Sequence, residues 1–239
     1  VKNARVNLFA DQKHLEELTY SNNGMYTSTI LAHSNTPYHI EIDIPGFKTI
    51  EARCSLPKEP VLLNVNHIEE AGIKKEGWTY PAVTVEFETS PDQLKHYEIS
   101  ITCYNNGEKI RPEFHTVIDP VLQNEGITQA VFSNTLIRQS TYKMHINYTT
   151  NSFGTNYGNN AGMNLYPYIV ELRAVDSNYY AYQKQLHLYE IGRYPEFSIS
   201  SQMAFQLHSN IKNSYGVFSG YASTLSDTIY PRHYNSRTK

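Results

Sequence analysis

Residues 209–230 read SNIKNSYGVFSGYASTLSDTIY, and this stretch is the least generic part of the chain. Gly216 and Gly220 bracket Val217 and Phe218. Glycines at that spacing admit a bulge or a close backbone approach while the apolar pair between them packs inward. Asn210 and Asn213 supply turn chemistry before the pair, and Asp227-Thr228-Ile229-Tyr230 ends the run. The pattern predicts a bulged closing strand of a β fold, and it specifies packing rather than a ligand.

Upstream, Tyr179, Tyr182, Leu186 and Tyr189 recur at helical spacing, with Asp176 or Ser177 able to cap and Gly192 just past the end. This predicts one helix near 177–190 whose aromatic stripe faces a core. Before it, Leu165 to Val175 reads as a long strand. Thr149 to Asn164, TTNSFGTNYGNNAGMN, has no periodicity and reads as a long polar loop, functional or disordered, that holds Phe153 and Tyr157.

Strict alternation marks the other strands. Tyr38, Ile40, Ile42 and Ile44 alternate with His39, Glu41 and Asp43. Val83, Val85 and Phe87 repeat the pattern, as do Tyr97, Ile99, Ile101 and Cys103, and then Tyr142, Met144, Ile146 and Tyr148. Turn signals stand at Asn23-Gly24, Pro45-Gly46 and Asn106-Gly107. Residues 114–122 read as extended chain. Leu56-Pro57-Lys58-Glu59-Pro60 reads as a stiff linker, which places residues 1–58 in one module and 61–239 in a second, β-rich one that carries the helix.

Composition agrees with an all-β class. The 239 residues are 40% apolar and only 18% charged, with 20 Tyr and 9 Phe in place of the charge that long helices carry. A net charge of -3 without any Lys/Arg run argues against nucleic acid and against electrostatic attachment to anionic lipid. No apolar run has the length needed to cross a bilayer as a helix.

Chemistry is weakly signalled. There is no Gly-x-Ser-x-Gly elbow, no His-Glu-x-x-His, no phosphate loop and no dinucleotide fingerprint, so no catalytic residue, cofactor or metal is expected. His14 with Glu16 and Glu17, and His67 with Glu69 and Glu70, bring carboxylates near a histidine, but their spacing fits no standard metal motif and reads as surface charge. His39, Glu41 and Asp43 read as a solvated strand face. Cys54 and Cys103 allow one disulfide or two buried thiols. Both stand on apolar faces, which favours free thiols. Asn147-Tyr148-Thr149 matches a glycosylation triplet that occurs often by chance.

VELRAVDSNYYAYQKQLHLYE, HSNIKNSYGVFSGYAS and DTIY, together with VKNARVNLF, GMY, TPYHIEIDIPGFKTIEA and SLP near the start, resemble a Bacteroidetes outer-membrane lipoprotein family, domain of unknown function 4249. The resemblance spans nearly the whole chain. Where members often carry Gly-Leu-Gly in the closing motif, this chain has Asn213-Ser214-Tyr215-Gly216. The resemblance implies an immunoglobulin-like or prealbumin-like β-sandwich over residues 1–58, with a further strand upstream of Val1, and a larger C-terminal β-sandwich or barrel. It also implies a signal peptide and lipidated cysteine upstream, attachment to the outer membrane or cell surface, and genes beside TonB-dependent transporters.

The resulting expectation is a non-catalytic binding or accessory subunit of a TonB-dependent nutrient uptake system. Its partners would be the transporter and a glycan or peptide ligand, with the membrane reached only through the upstream lipid anchor. Phe153, Tyr157 and Tyr166 are the candidate contact residues, because aromatic side chains on polar loops suit sugars, peptides and proteins alike. An adhesion or structural surface module is the alternative, and a hydrolase with a non-contiguous site stands behind it.

Overall fold

The computed structural model describes residues 1–73, 79–114, 118–127, 131–149, 165–192 and 206–232. Alternating sequence becomes strand throughout, and the fold is all-β, built from antiparallel sheets, with two helices and no closed barrel among the described residues. In chain order the first strands are β1 (Arg5–Ala10), β2 (Lys13–Glu17), β3 (Thr19–Tyr20), β4 (Tyr26–Thr27), β5 (Thr36–Asp43) and β6 (Ile50–Leu56). Next come β7 (Leu62–Ile73), β8 (Thr79–Glu88), β9 (His96–Asn105), β10 (Glu108–Ile110), β11 (Glu113–Phe114), helix α1 (Pro120–Glu125), β12 (Val131–Ser133), β13 (Thr141–Thr149) and β14 (Tyr168–Val175). Helix α2 (Ser177–Gly192), β15 (Ile211–Lys212) and β16 (Tyr221–Leu225) complete the chain.

The chain divides into two compact units. Unit 1 is Val1–Glu59 with Ala174–Ala222, and unit 2 is Pro60–Arg173 with Ser223–Lys239. The first break coincides with the proline-rich linker. The helix and the start of the closing stretch, Ala174–Ala222, cluster with Val1–Glu59.

Unit 1 holds a five-stranded sheet in the order β15-β6-β5-β1-β2 and the small β3-β4 hairpin. Its turns form where the sequence predicts them. Asn23 and Gly24 take φ of 50° and 82° between β3 and β4, and Gly46 takes 84° between β5 and β6, left-handed values that favour Asn and Gly. Asp176 caps α2 by accepting the Tyr179 N–H at 2.7 Å. The expected aromatic stripe is only partly inward: among the described side chains of the helix His187 alone is fully buried, Tyr179, Tyr182 and Leu186 are half-buried, and Tyr189 is exposed.

The closing stretch is not one bulged strand. Ile211 pairs with Ala52 and Lys212 with Glu51 on the edge of β6, the chain then turns through Asn213 and Gly216 at positive φ, and only from Tyr221 does it become strand again. Val217 and Phe218 are half-buried. At Gly220 a Cβ would come within 2.3 Å of the Leu56 side chain, so this glycine serves the close approach.

Unit 2 is a sandwich. One sheet runs β11-β13-β8-β7 and the other β10-β9-β14-β16, with β12 also on β9. Their inner faces meet through aromatic rings: Phe87 lies 5.3 Å from Tyr97 and 5.9 Å from Phe132, and Tyr148 lies 5.7 Å from Tyr168. Val83, Val85, Met144, Ile146, Val170 and Leu172 fill the space around them and are fully buried. Each such side chain contributes about 1.5–3 kcal/mol of transfer free energy, so this interior carries most of the unit's stability. Residues 114–122 are not a continuous extended stretch. Asp119 accepts the Val121 N–H, Pro120 starts α1, and Gly126 ends it with φ of 69°.

Candidate functional site

Two places gather chemistry or exposed aromatic surface, one in each unit. In unit 1 the antiparallel pairing of β15 with β6 sends the chain after Lys212 toward the β5-β6 turn, and the Asn213 side-chain amide donates to the Thr49 carbonyl at 2.8 Å. Two turns are thereby stapled side by side. One holds Phe47, 75% exposed, and the other Tyr215, 90% exposed. Each turn is fixed from within: the Phe47 N–H donates to the Ile44 carbonyl, the Gly216 N–H to Ser209 Oγ, and the Asn210 side chain bonds the Arg53 and Phe218 carbonyls and the Phe218 N–H. On the strands that lead into these turns, Arg5 pairs with Asp43 at 3.9 Å and Lys212 with Glu51 at 3.3 Å, and Thr49 Oγ1 donates to Asp43. Exposed rings on hydrogen-bonded turns, with ion pairs on the adjoining strands, have the anatomy of a protein contact.

In unit 2 the inner face carries a polar cluster. His67 pairs opposite Val83, so the period of two turns its ring into the sandwich. Its Nδ1 lies 3.1 Å from Tyr168 Oη, its Nε2 lies 3.7 Å from Glu69 Oε1, and its ring stands against those of Tyr148 and Tyr168. A bulge in β7 between Ile68 and Gly72, where a Cβ on Gly72 would lie 2.2 Å from Tyr80 Oη, re-aims the chain around Glu69. The surface reading of His67 is therefore corrected: the imidazole is almost wholly buried, while Glu70 is exposed.

Burial governs the electrostatics of that cluster. It lowers the His67 pKa below the ordinary histidine value despite the Glu69 carboxylate, and it raises the Tyr148 and Tyr168 phenols. The Cys103 thiol is pushed up to about 12 for the same reason. A nucleophile needs the opposite shift, so the phenols and the thiol are held in their inert, protonated forms at neutral pH.

The other histidine sets resolve differently. Glu16 accepts hydrogen bonds from Ser28 and Thr29, which lower its pKa, and so it organises the loop after β4 rather than pairing with His14. His14 lies edge-on to Phe9 and bonds Asn7. His39 stacks on Phe9 at 5.4 Å and is half-buried rather than wet. Among the described residues no three His, Cys, Asp or Glu side chains form a metal-binding group. Asn147 is buried within β13, which closes the glycosylation triplet to any enzyme acting on the folded chain.

Of the three contact residues named from sequence, Phe153 and Tyr157 lie outside the described residues, as does most of the polar loop between Thr149 and Asn164. Tyr166 is 5% exposed within unit 2, a core position rather than a loop surface. Phe47 and Tyr215 escaped sequence reading because each sits beside a turn glycine that explains the turn without the ring. The signal was the aromatic at a turn position, where nothing in the turn requires one.

Cys54 and Cys103 are both free and buried, with Cys54 also pushed up to about 12 by desolvation and by Asp176. At pH 8 a colourless thiol-specific disulfide reagent should therefore label neither cysteine in the native protein and both in denaturant. Fast labelling of either thiol before unfolding would contradict the placement of these strands.

A family model described as Domain of unknown function (DUF4249) matches residues 1–226 of the 239. No curated protein and no solved structure matches the chain. No helix among the described residues is long and apolar enough to cross a membrane.

Proposed function

We propose that this chain, which belongs to the DUF4249 family, is the ectodomain of a lipid-anchored outer-membrane protein that serves as a non-catalytic binding or accessory subunit of a TonB-dependent nutrient uptake system. The observation that carries the proposal is the aromatic end of unit 1. Phe47 and Tyr215 stand out from turns that are already held by backbone and asparagine hydrogen bonds, so neither ring is needed to keep its own turn. Exposed apolar area of this kind is unfavourable in water, and a partner that covers it recovers the hydrophobic free energy. The charges on the adjoining strands, balanced and paired, add register without a strong field of either sign.

A ring that anchors an interface contributes about 2 kcal/mol or more, roughly thirtyfold in affinity. Replacing both Phe47 and Tyr215 with serine should therefore abolish recovery of the transporter with detergent-extracted native protein, while the melting temperature stays where it was. If the unaltered protein brings down no TonB-dependent transporter, the uptake assignment fails, and the same surface is to be read as that of an adhesion or structural module.

A further inference from the structure

The last described segment of unit 2 lies as a strap along β14 and β7. The Ser226 N–H donates to the Val170 carbonyl at 2.8 Å, and Ser226 Oγ accepts the Val170 N–H at 3.0 Å. Tyr168 and Ile229 exchange both backbone hydrogen bonds, at 3.0 and 2.8 Å. The Arg232 N–H donates to Glu69 Oε1. Two of these anchors, Tyr168 and Glu69, are the residues His67 faces through its two ring nitrogens.

We propose that His67 is a proton-controlled latch for this strap: the strap is docked while the imidazole is neutral and is released when the ring takes up a proton. In the docked state Nδ1 accepts the Tyr168 O–H, a tautomer assigned from its partners, and Nε2 carries the hydrogen. Glu69 Oε1 is then free to hold the Arg232 N–H, because a separation of 3.7 Å from Nε2 is too long for a hydrogen bond. Protonation removes the acceptor at Nδ1, so the Tyr168 hydroxyl must turn round to receive a hydrogen bond. It also places a cation in a desolvated interior, where it needs a close anion. Closing on Glu69 to charge-assisted distance requires a movement of roughly 0.8–1 Å. The oxygen that moves is the one that holds Arg232.

The groups facing the imidazole are Glu69 on β7, Tyr148 on β13 and Tyr168 on β14, with Cys103 on β9 close enough to both phenols to influence them. The phenols and thiol stay neutral in this range, so Glu69 is the one charged group among them. The sign follows from linkage. His67 titrates below the ordinary histidine value in the docked state, so docking is fully favoured above the ordinary value and is lost as the pH falls from it through the lowered one.

Hydrogen exchange on the whole chain tests the latch, comparing pH 7.5 with pH 5 after correction for intrinsic rates. The amides of Ser226, Ile229 and Arg232 should lose protection by about tenfold or more while those of Val83 and Val85 hold theirs. In His67→Gln the difference should vanish. Strap protection that does not change in the unaltered protein, or a loss that persists in His67→Gln, overturns the proposal. Should that variant not fold, the His67 ring resonance titrated in the unaltered protein decides it: its midpoint must coincide with the midpoint of strap deprotection, and separate midpoints overturn the proposal.

Discussion

Phe87→Ala should lower the stability of unit 2 by about 3–5 kcal/mol, the largest effect expected of any single substitution here. The ring has no exposed area and meets Tyr97, Phe132 and Tyr142, at 5.3, 5.9 and 6.2 Å. Alanine removes both the transfer free energy and the packing partner of three aromatic side chains, and rings held in two opposed sheets cannot collapse into the gap. Urea unfolding followed by tyrosine fluorescence should show a lower midpoint with an unchanged slope. A loss below about 1 kcal/mol would mean that the sheets are not packed through Phe87.

The second large effect is expected at Asp119. Its carboxylate is buried and accepts from three donors: the Val121 N–H at 2.9 Å, the Tyr142 O–H at 3.0 Å and the His145 N–H at 3.1 Å. One side chain thus caps α1 and fixes that helix against β13. Asp119→Ala removes the cap and leaves two further donors without an acceptor, for a combined loss of about 3 kcal/mol. Asp119→Asn keeps an acceptor oxygen and should restore part of it. The ratio of the two losses, read from the same unfolding curves, distinguishes a hydrogen-bond hub from a side chain that merely fills space, for which asparagine and alanine would differ little.

Much of the unit 2 sandwich was legible because period two survives in its strands. Tyr97, Ile99, Ile101 and Cys103 alternate without interruption, and all four are buried. The same rule reaches further than it was taken. Val65, His67 and Glu69 lie on one side of β7, and the two carboxylates after His67 drew attention to water when the alternation pointed inward. Helix α1 was also announced, by Asp119-Pro120 followed at the right distance by Gly126, but six residues are too few for helical periodicity to stand out.

The make-up of unit 1 was not legible. It depends on a two-residue pairing and on bonds such as Asn210 to Arg53, 157 positions away in the chain. Nothing local in isoleucine-rich or asparagine-rich segments states which distant edge they will meet. The Phe47 turn was predicted and its ring was not, because a Pro-Gly turn specifies backbone angles and leaves the next side chain open.

The discontinuity of unit 1 sets an order of assembly. Glu59 ends its first segment and Ala174 begins its second, so during synthesis the early strands emerge long before their partner. Until Ile211 arrives, one side of β6 is an open edge. Most of unit 2 lies between the two segments and can pack early, but β16 and the strap follow them, and contacts of such long range are slow to form. The nascent protein therefore carries two unfinished edges until its last segments arrive, β6 in unit 1 and β14 in unit 2, and a holding chaperone would be needed at those open strands rather than at the aromatic interior.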